Sequence, residues 1–258
     1  DIARCSLGKS GDFYNEELLY KTFGVQAELL IDHAWGWEPC TIADIRAYRP
    51  DSNSISSGQV LQEPYDWHKA KLIVREMTDL LVLDLVKKRL CTDQLTLTIG
   101  YDIENLSDPA RAAEYAGETH ADRYGRRVPK HGHGTANLAG YSSSTREITD
   151  AVMALYDRIT DKNLLVRRVT VAANRVLPEN KIPRAAESGE QMDLFSAAEE
   201  NPGAPGAEQK ARERERRRQE AILAIQRRYG SNAILKGMNL EEGATTRERN
   251  KQIGGHRA

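Results

Sequence analysis

Gln94-Leu95-Thr96-Leu97-Thr98-Ile99-Gly100-Tyr101 alternates without a break. Leu95, Leu97, Ile99 and Tyr101 fall on one side, and Gln94, Thr96 and Thr98 on the other. Successive side chains of a strand point to opposite faces, so this is a strand with one face on a core and one face open. Residues 164–176 repeat the pattern: Val169, Val171 and Ala173 are apolar, while Arg168, Thr170 and Asn174 are polar. A short strand at 54–61 and a weaker one at 135–141 complete the set.

Helical periods lie between these strands. Residues 69–90 are apolar almost all round near Leu80 to Val86, which predicts a well-buried helix. Ser144 and Glu147 fit a capping box, and Ile148, Val152, Leu155, Tyr156 and Ile159 then mark one helical face. The order strand, helix, strand, strand, helix, strand predicts an α+β fold. It has a four-stranded antiparallel sheet with two helices on one face. The open face then carries Gln94, Thr96, Thr98, Arg168, Thr170 and Asn174. Short hydroxyls, amides and an arginine suit phosphate contact without base reading. An ordinary solvated sheet face has the same composition.

The flanks read differently. Residues 15–23 and 26–34 predict two short helices separated by Gly24, too few to bury much alone. Residues 48–53 (YRPDSN) form a polar linker. Residues 102–134 make an insertion too long for a hairpin, expected to be a mobile functional loop carrying Arg123, Arg126, Arg127 and Lys130. His120, His131 and His133 in it raise a histidine–metal enzyme as a competing reading, although no cysteine lies nearby. After Pro178, residues 187–200 hold five acidic and no basic residues, and 201–206 (NPGAPG) form a break. Residues 210–228 hold eight Lys/Arg against three Glu and predict a basic helix.

Composition bounds the rest. The chain has 258 residues and a formal charge of −1 from 37 Lys+Arg and 38 Asp+Glu. That balance argues against nucleic-acid binding only if charge is spread evenly. The acidic first 49 residues (eight Asp/Glu, five Lys/Arg) and the acidic 187–200 segment offset a basic stretch of the insertion, Arg123 to Lys130, and a basic tail helix. The longest apolar run, Leu80 to Leu83, stops at Asp84, far short of the ~18 to 20 residues of a membrane span. Three scattered cysteines, Cys5, Cys40 and Cys91, disfavour a disulfide framework and fit a cytoplasmic protein. Walker and dinucleotide glycine signatures and a nucleophile triad are missing, as is a carboxylate cluster suited to two magnesium ions.

Gln191-Met192-Asp193-Leu194-Phe195 places three apolar side chains in an otherwise acidic segment. An apolar cluster of this kind reads as a docking peptide. It resembles the peptide that tethers bacterial DNA enzymes to the sliding clamp.

Taken in order along the chain, these pieces resemble the C-terminal half of a Y-family translesion DNA polymerase of the UmuC-like type found in Gram-positive bacteria. LLYKTFG (18–24) followed by AELLIDHAWGWEP resembles the end of that family's thumb. SISSGQVL (54–61) resembles the entry into its little finger, DRYGRRVPKHGHGT the branch's insertion, and NAILKGMNLEEGATTRERNKQIGGH its tail. The resemblance implies a thumb remnant at 1–49 and a little-finger domain at 50–178. A linker with the clamp motif at 179–206 and a basic helical tail at 207–258 would follow. It implies primer–template DNA held by Ser57, Thr96, Thr98, Arg168 and Thr170, and a sliding clamp held by Gln191, Met192, Asp193, Leu194 and Phe195. Translesion synthesis, DNA repair and the SOS response are the processes implied. The palm with its Mg2+ ions is absent from these residues, so this chain alone is expected not to polymerise DNA. The alternative is a standalone adaptor for clamp and DNA.

Overall fold

A computed structural model of the chain describes residues 1–48, 53–122, 125–182, 205–253 and 256–257. The chain divides into two compact units, Asp1–Asp51 and Ser52–Ala258.

The first unit is helical: α1 (Ile2–Cys5), α2 (Glu16–Phe23), α3 (Gln26–Ala34) and α4 (Ile42–Ala47). The Asn15 side chain accepts from the Leu18 amide at 3.0 Å and starts α2. Gly24, with φ of 60°, ends it. α4 opens on a reciprocal cap between Thr41 and Asp44. Its core is small: Cys5, Leu19 and Ala27, with Ile2 and Ile31 against them.

The second unit holds the sheet. Its strands are β1 (Ile55–Tyr65), β2 (Leu90–Tyr101), β5 (Gly132–Ser142) and β6 (Val166–Asn174), in the spatial order β1-β6-β2-β5. All pairs are antiparallel, and a short β7 (Leu177–Pro178) pairs with the start of β2. α5 (Trp67–Lys88) and α8 (Thr145–Ile159) cover one face. Leu95, Leu97, Ile99, Val169, Val171 and Ala173 are all 0 % exposed against them. The Leu, Ile and Val side chains each contribute roughly 1.5–3 kcal/mol of burial. The α+β expectation and its two-helix layer therefore hold. Two glycines bring α8 close to the edge strand. A Cβ at Gly134 would lie 2.9 Å from Leu155 Cδ1, and one at Gly132 would lie 2.6 Å from the Ile159 carbonyl oxygen.

The insertion departs from the mobile loop expected of it. It folds as α6 (Glu104–Ser107), α7 (Pro109–Glu114) and a hairpin of β3 (Thr119–Ala121) with β4 (Arg127–Pro129). Asn105 explains the order at its base. Its amide nitrogen donates to the Asp102 and Leu165 carbonyls, and its oxygen accepts from the Leu165 amide. These bonds leave that buried side chain fully satisfied.

The C-terminal segment forms a third layer. α9 (Pro205–Tyr229), a 3₁₀ turn (Gly237–Leu240), α10 (Thr246–Arg249) and a β8–β9 pair (Gln252–Ile253, His256–Arg257) follow one another. α9, the 3₁₀ turn and the start of α10 meet the face of α5 opposite its core side, where Glu76, Asp79 and Leu83 are buried. Glu76, 1 % exposed, accepts from Asn239 Nδ2 at 2.7 Å and the Thr245 amide at 2.8 Å. Lys236 pairs with Asp79, and Lys69 with Glu242 at 2.7 Å. This layer explains why α5 is apolar or buried nearly all round: it lies between the sheet and the tail.

The tail also alters the expected capping box. Ser144 Oγ accepts from the Glu147 amide at 3.3 Å, which is one half of the box. The reciprocal half is missing, because the Ser144 amide donates to Ser142 Oγ at 3.0 Å, and a carboxylate from α9 joins the cap. Glu215 accepts from Ser144 Oγ at 2.7 Å and from the Arg146 amide at 3.1 Å, while Glu147 pairs with Arg212 at 3.2 Å. An anion here complements the free amides of the α8 N-terminus.

Candidate nucleic-acid interface

The sheet register sets the open face in rows. Gly58, Thr170, Thr98 and His133 stand side by side across β1, β6, β2 and β5. The next row holds Val60, Arg168 and Gly100; on the other side run Ser56, Ala172, Thr96 and Thr135. Asn174, Gln94 and Asn137 follow. Neighbouring side chains hold one another. Thr98 Oγ1 is 2.9 Å from His133 Nδ1, Asn174 Nδ2 donates to Thr96 Oγ1 at 2.7 Å, and Gln94 Nε2 donates to Asn137 at 2.9 Å.

A groove of about 970 Å³ runs over this face. Thr98, Gly100, Arg168 and Thr170 form its floor, and the insertion hairpin forms a wall with His120, Asp122, Arg126 and His131. Gly100 marks a close approach, because a Cβ there would stand 3.1 Å from Arg168 Cβ. Arg168 is exposed and has no ion-pair or hydrogen-bond partner among the described residues. Its neighbours are matched: Arg167 with Asp102 at 3.6 Å, Arg126 with Asp122 at 2.7 Å, Lys130 with Glu118. Arg168 is thus the cation in this groove most available to an incoming anion.

The structure brings together four of the five expected DNA contacts: Thr96, Thr98, Arg168 and Thr170. Ser57 is a correction. It pairs with Val171, so it points to the helix-covered side, and its Oγ accepts from Arg249 of the tail at 3.3 Å. Period-two counting from Leu61, which is 2 % exposed, would have placed it there. The expected surplus charge of the insertion is also corrected. Arg126 and Lys130 are paired, Arg127 donates to Thr119 Oγ1 at 2.6 Å, and Arg123 lies outside the described residues. The basic helix packs on α5 and the start of α8, away from the groove. The clamp motif, Gln191 to Phe195, lies outside the described residues.

His120, His131 and His133 do converge, from β3, the turn before β5, and β5. Their ring centroids are 5.5 Å apart for His120–His131 and 6.3 Å for His131–His133. Burial holds the His131 imidazole below the usual histidine range, helped by His120, His133 and Lys130. Among the described residues no group of three or more His, Cys, Asp or Glu is placed to hold a metal ion. No helix among the described residues is long and apolar enough to cross a membrane.

Residues 52–194 match the family model described as the impB/mucB/samB family C-terminal domain. The chain belongs to this family. The match spans the sheet, both covering helices and the insertion. It fits the C-terminal part of a UmuC-like Y-family polymerase, the little-finger domain, and so a part in DNA damage tolerance. No curated protein matches the chain.

Proposed function

We infer that this chain is the DNA-binding and sliding-clamp-binding part of an error-prone translesion polymerase, with the open sheet face lying along the sugar–phosphate backbone of primer–template DNA. The observation that carries this reading is Arg168. It is an exposed cation without an ion-pair partner among the described residues, set one row from the Thr98–Thr170 pair on the floor of a groove. Hydroxyls and an arginine donate to phosphate oxygens and leave base edges unread, so binding is largely sequence-independent. Helix coverage on the other face leaves this one for a partner. The acidic segment around QMDLF supplies the second contact. Docking of Leu194 and Phe195 on a clamp raises the local concentration of the groove at a primer end.

Two titrations test the reading. Binding of a labelled primer–template to the chain should weaken steeply with salt, with a log–log slope of roughly −0.9 per phosphate contact. A flat salt response contradicts phosphate binding. Leu194→Ala/Phe195→Ala should abolish clamp binding and leave DNA affinity unchanged; retained clamp affinity removes the motif from the account.

A further inference from the structure

The three histidines of the insertion have no part in the backbone contact described above, yet His120 and His131 line the same groove and His133 stands beside its floor, against Thr98. They arrive from three different segments and meet edge to face. We propose that His120, His131 and His133 form a proton-gated phosphate subsite on the wall of the groove. As imidazolium they donate to a phosphodiester of the bound strand; as neutral rings they do so weakly. The proposal rests on the groove being the DNA interface.

The surroundings argue for an external anion. The charged groups near the trio come from every packed element: Glu118 and Lys130 beside it, Asp122 and Arg126 on the hairpin, Asp102 and Arg167 at the sheet end. Tyr115 follows α7, Arg158 lies on α8 and Arg168 on the floor. Each of these carboxylates already faces a cation, and Arg158 donates to the Thr135 carbonyl. An imidazolium at His131 thus meets the like charges of His120, His133 and Lys130, while Glu118, Asp122 and Asp102 are already matched. A phosphate supplies the missing counter-charge. The Thr98–His133 contact orients one ring for this. Once protonated, His133 donates from Nδ1 to Thr98 Oγ1 and keeps Nε2–H for the ligand.

The linkage has a definite sign. Burial and neighbouring positive charge keep His131 neutral in the free protein near neutral pH. A bound polyanion favours the charged form, so binding takes up protons and tightens as pH falls. One linked proton whose pKa rises by one unit gives up to about tenfold.

The test is fluorescence anisotropy of a labelled primer–template at fixed ionic strength, at about pH 8 and about pH 6. The chain should bind roughly tenfold tighter at the lower pH. The variant His120→Gln/His131→Gln/His133→Gln should bring that ratio to about twofold or less. His33, His68 and His256 are kept in it as an internal control. NMR titration of the unmodified chain, followed through the imidazole C–H signals, should show the three pKa values rising when the oligonucleotide is added. A variant that keeps the full ratio, or pKa values that do not move, overturns the subsite. Equal, Arg168-dependent binding at both pH values overturns the subsite and leaves the groove reading intact. Lack of DNA binding at either pH overturns the groove reading itself.

Discussion

Glu76 Oε1 lies 2.7 Å from the Asn239 amide nitrogen, across 163 residues of sequence. This contact fastens the C-terminal layer to the back of α5. Glu76→Ala would leave the Asn239 amide and the Thr245 N–H without their acceptor in a buried setting. A loss of about 3 kcal/mol is expected, from charged hydrogen bonds of ~1.5–3 kcal/mol each, partly offset by relaxation. Urea unfolding would measure it, and limited proteolysis should show earlier cleavage within 230–253.

Gly134 lets α8 approach β5. Gly134→Val places branched carbon where Leu155 and Ile159 already sit. A destabilisation of about 1–3 kcal/mol is expected. Gly140→Ala on the same strand, where nothing lies within 4 Å of the added carbon, should change stability by less than about 0.5 kcal/mol. Thermal melts of the two variants make the comparison.

Arg168 and Arg126 line one groove but differ in pairing. Arg168→Ala should weaken primer–template binding and reduce the magnitude of the salt slope by about 0.9, the value for one phosphate. Arg126→Ala should change the slope much less, because Asp122 already neutralises it. Anisotropy titrations over a salt series read both.

Gly100→Val tests position without removing charge. The added carbon would push the Arg168 stem aside from a 3.1 Å approach. DNA affinity is expected to fall by roughly 3- to 10-fold, about 0.7–1.4 kcal/mol, while the circular dichroism spectrum keeps its native shape.

Much of this was legible along the chain. Alternation at Gln94 to Tyr101 and at Val166 to Asn174 carried the sheet, because buried and open faces demand different side chains at period two. Thr96, Thr98, Arg168 and Thr170 followed from it directly. Ser57 does not, because period two puts it on the inward side with Leu61. A serine among inward positions is satisfied here by Arg249, a partner nearly two hundred residues away. The tail stayed opaque for the same reason: Glu76, Asp79 and Gln59 look like solvated residues until Asn239, Lys236 and Thr245 meet them. α4 is the exception, since its Thr41–Asp44 cap is written in the local sequence. The insertion's basic residues suggested positive potential, but local charge runs do not reveal that Asp122 and Glu118 pair with them.

The most direct test of the account is amide chemical-shift mapping with primer–template DNA. The DNA interface is predicted to shift Thr96, Thr98, Arg168, Thr170 and His133, with the β3–β4 hairpin moving alongside. Residues on the tail-covered side, such as Glu76 and Gln219, should stay in place. Shifts concentrated on α5, α9 and the tail, with β2 and β6 silent, would contradict it.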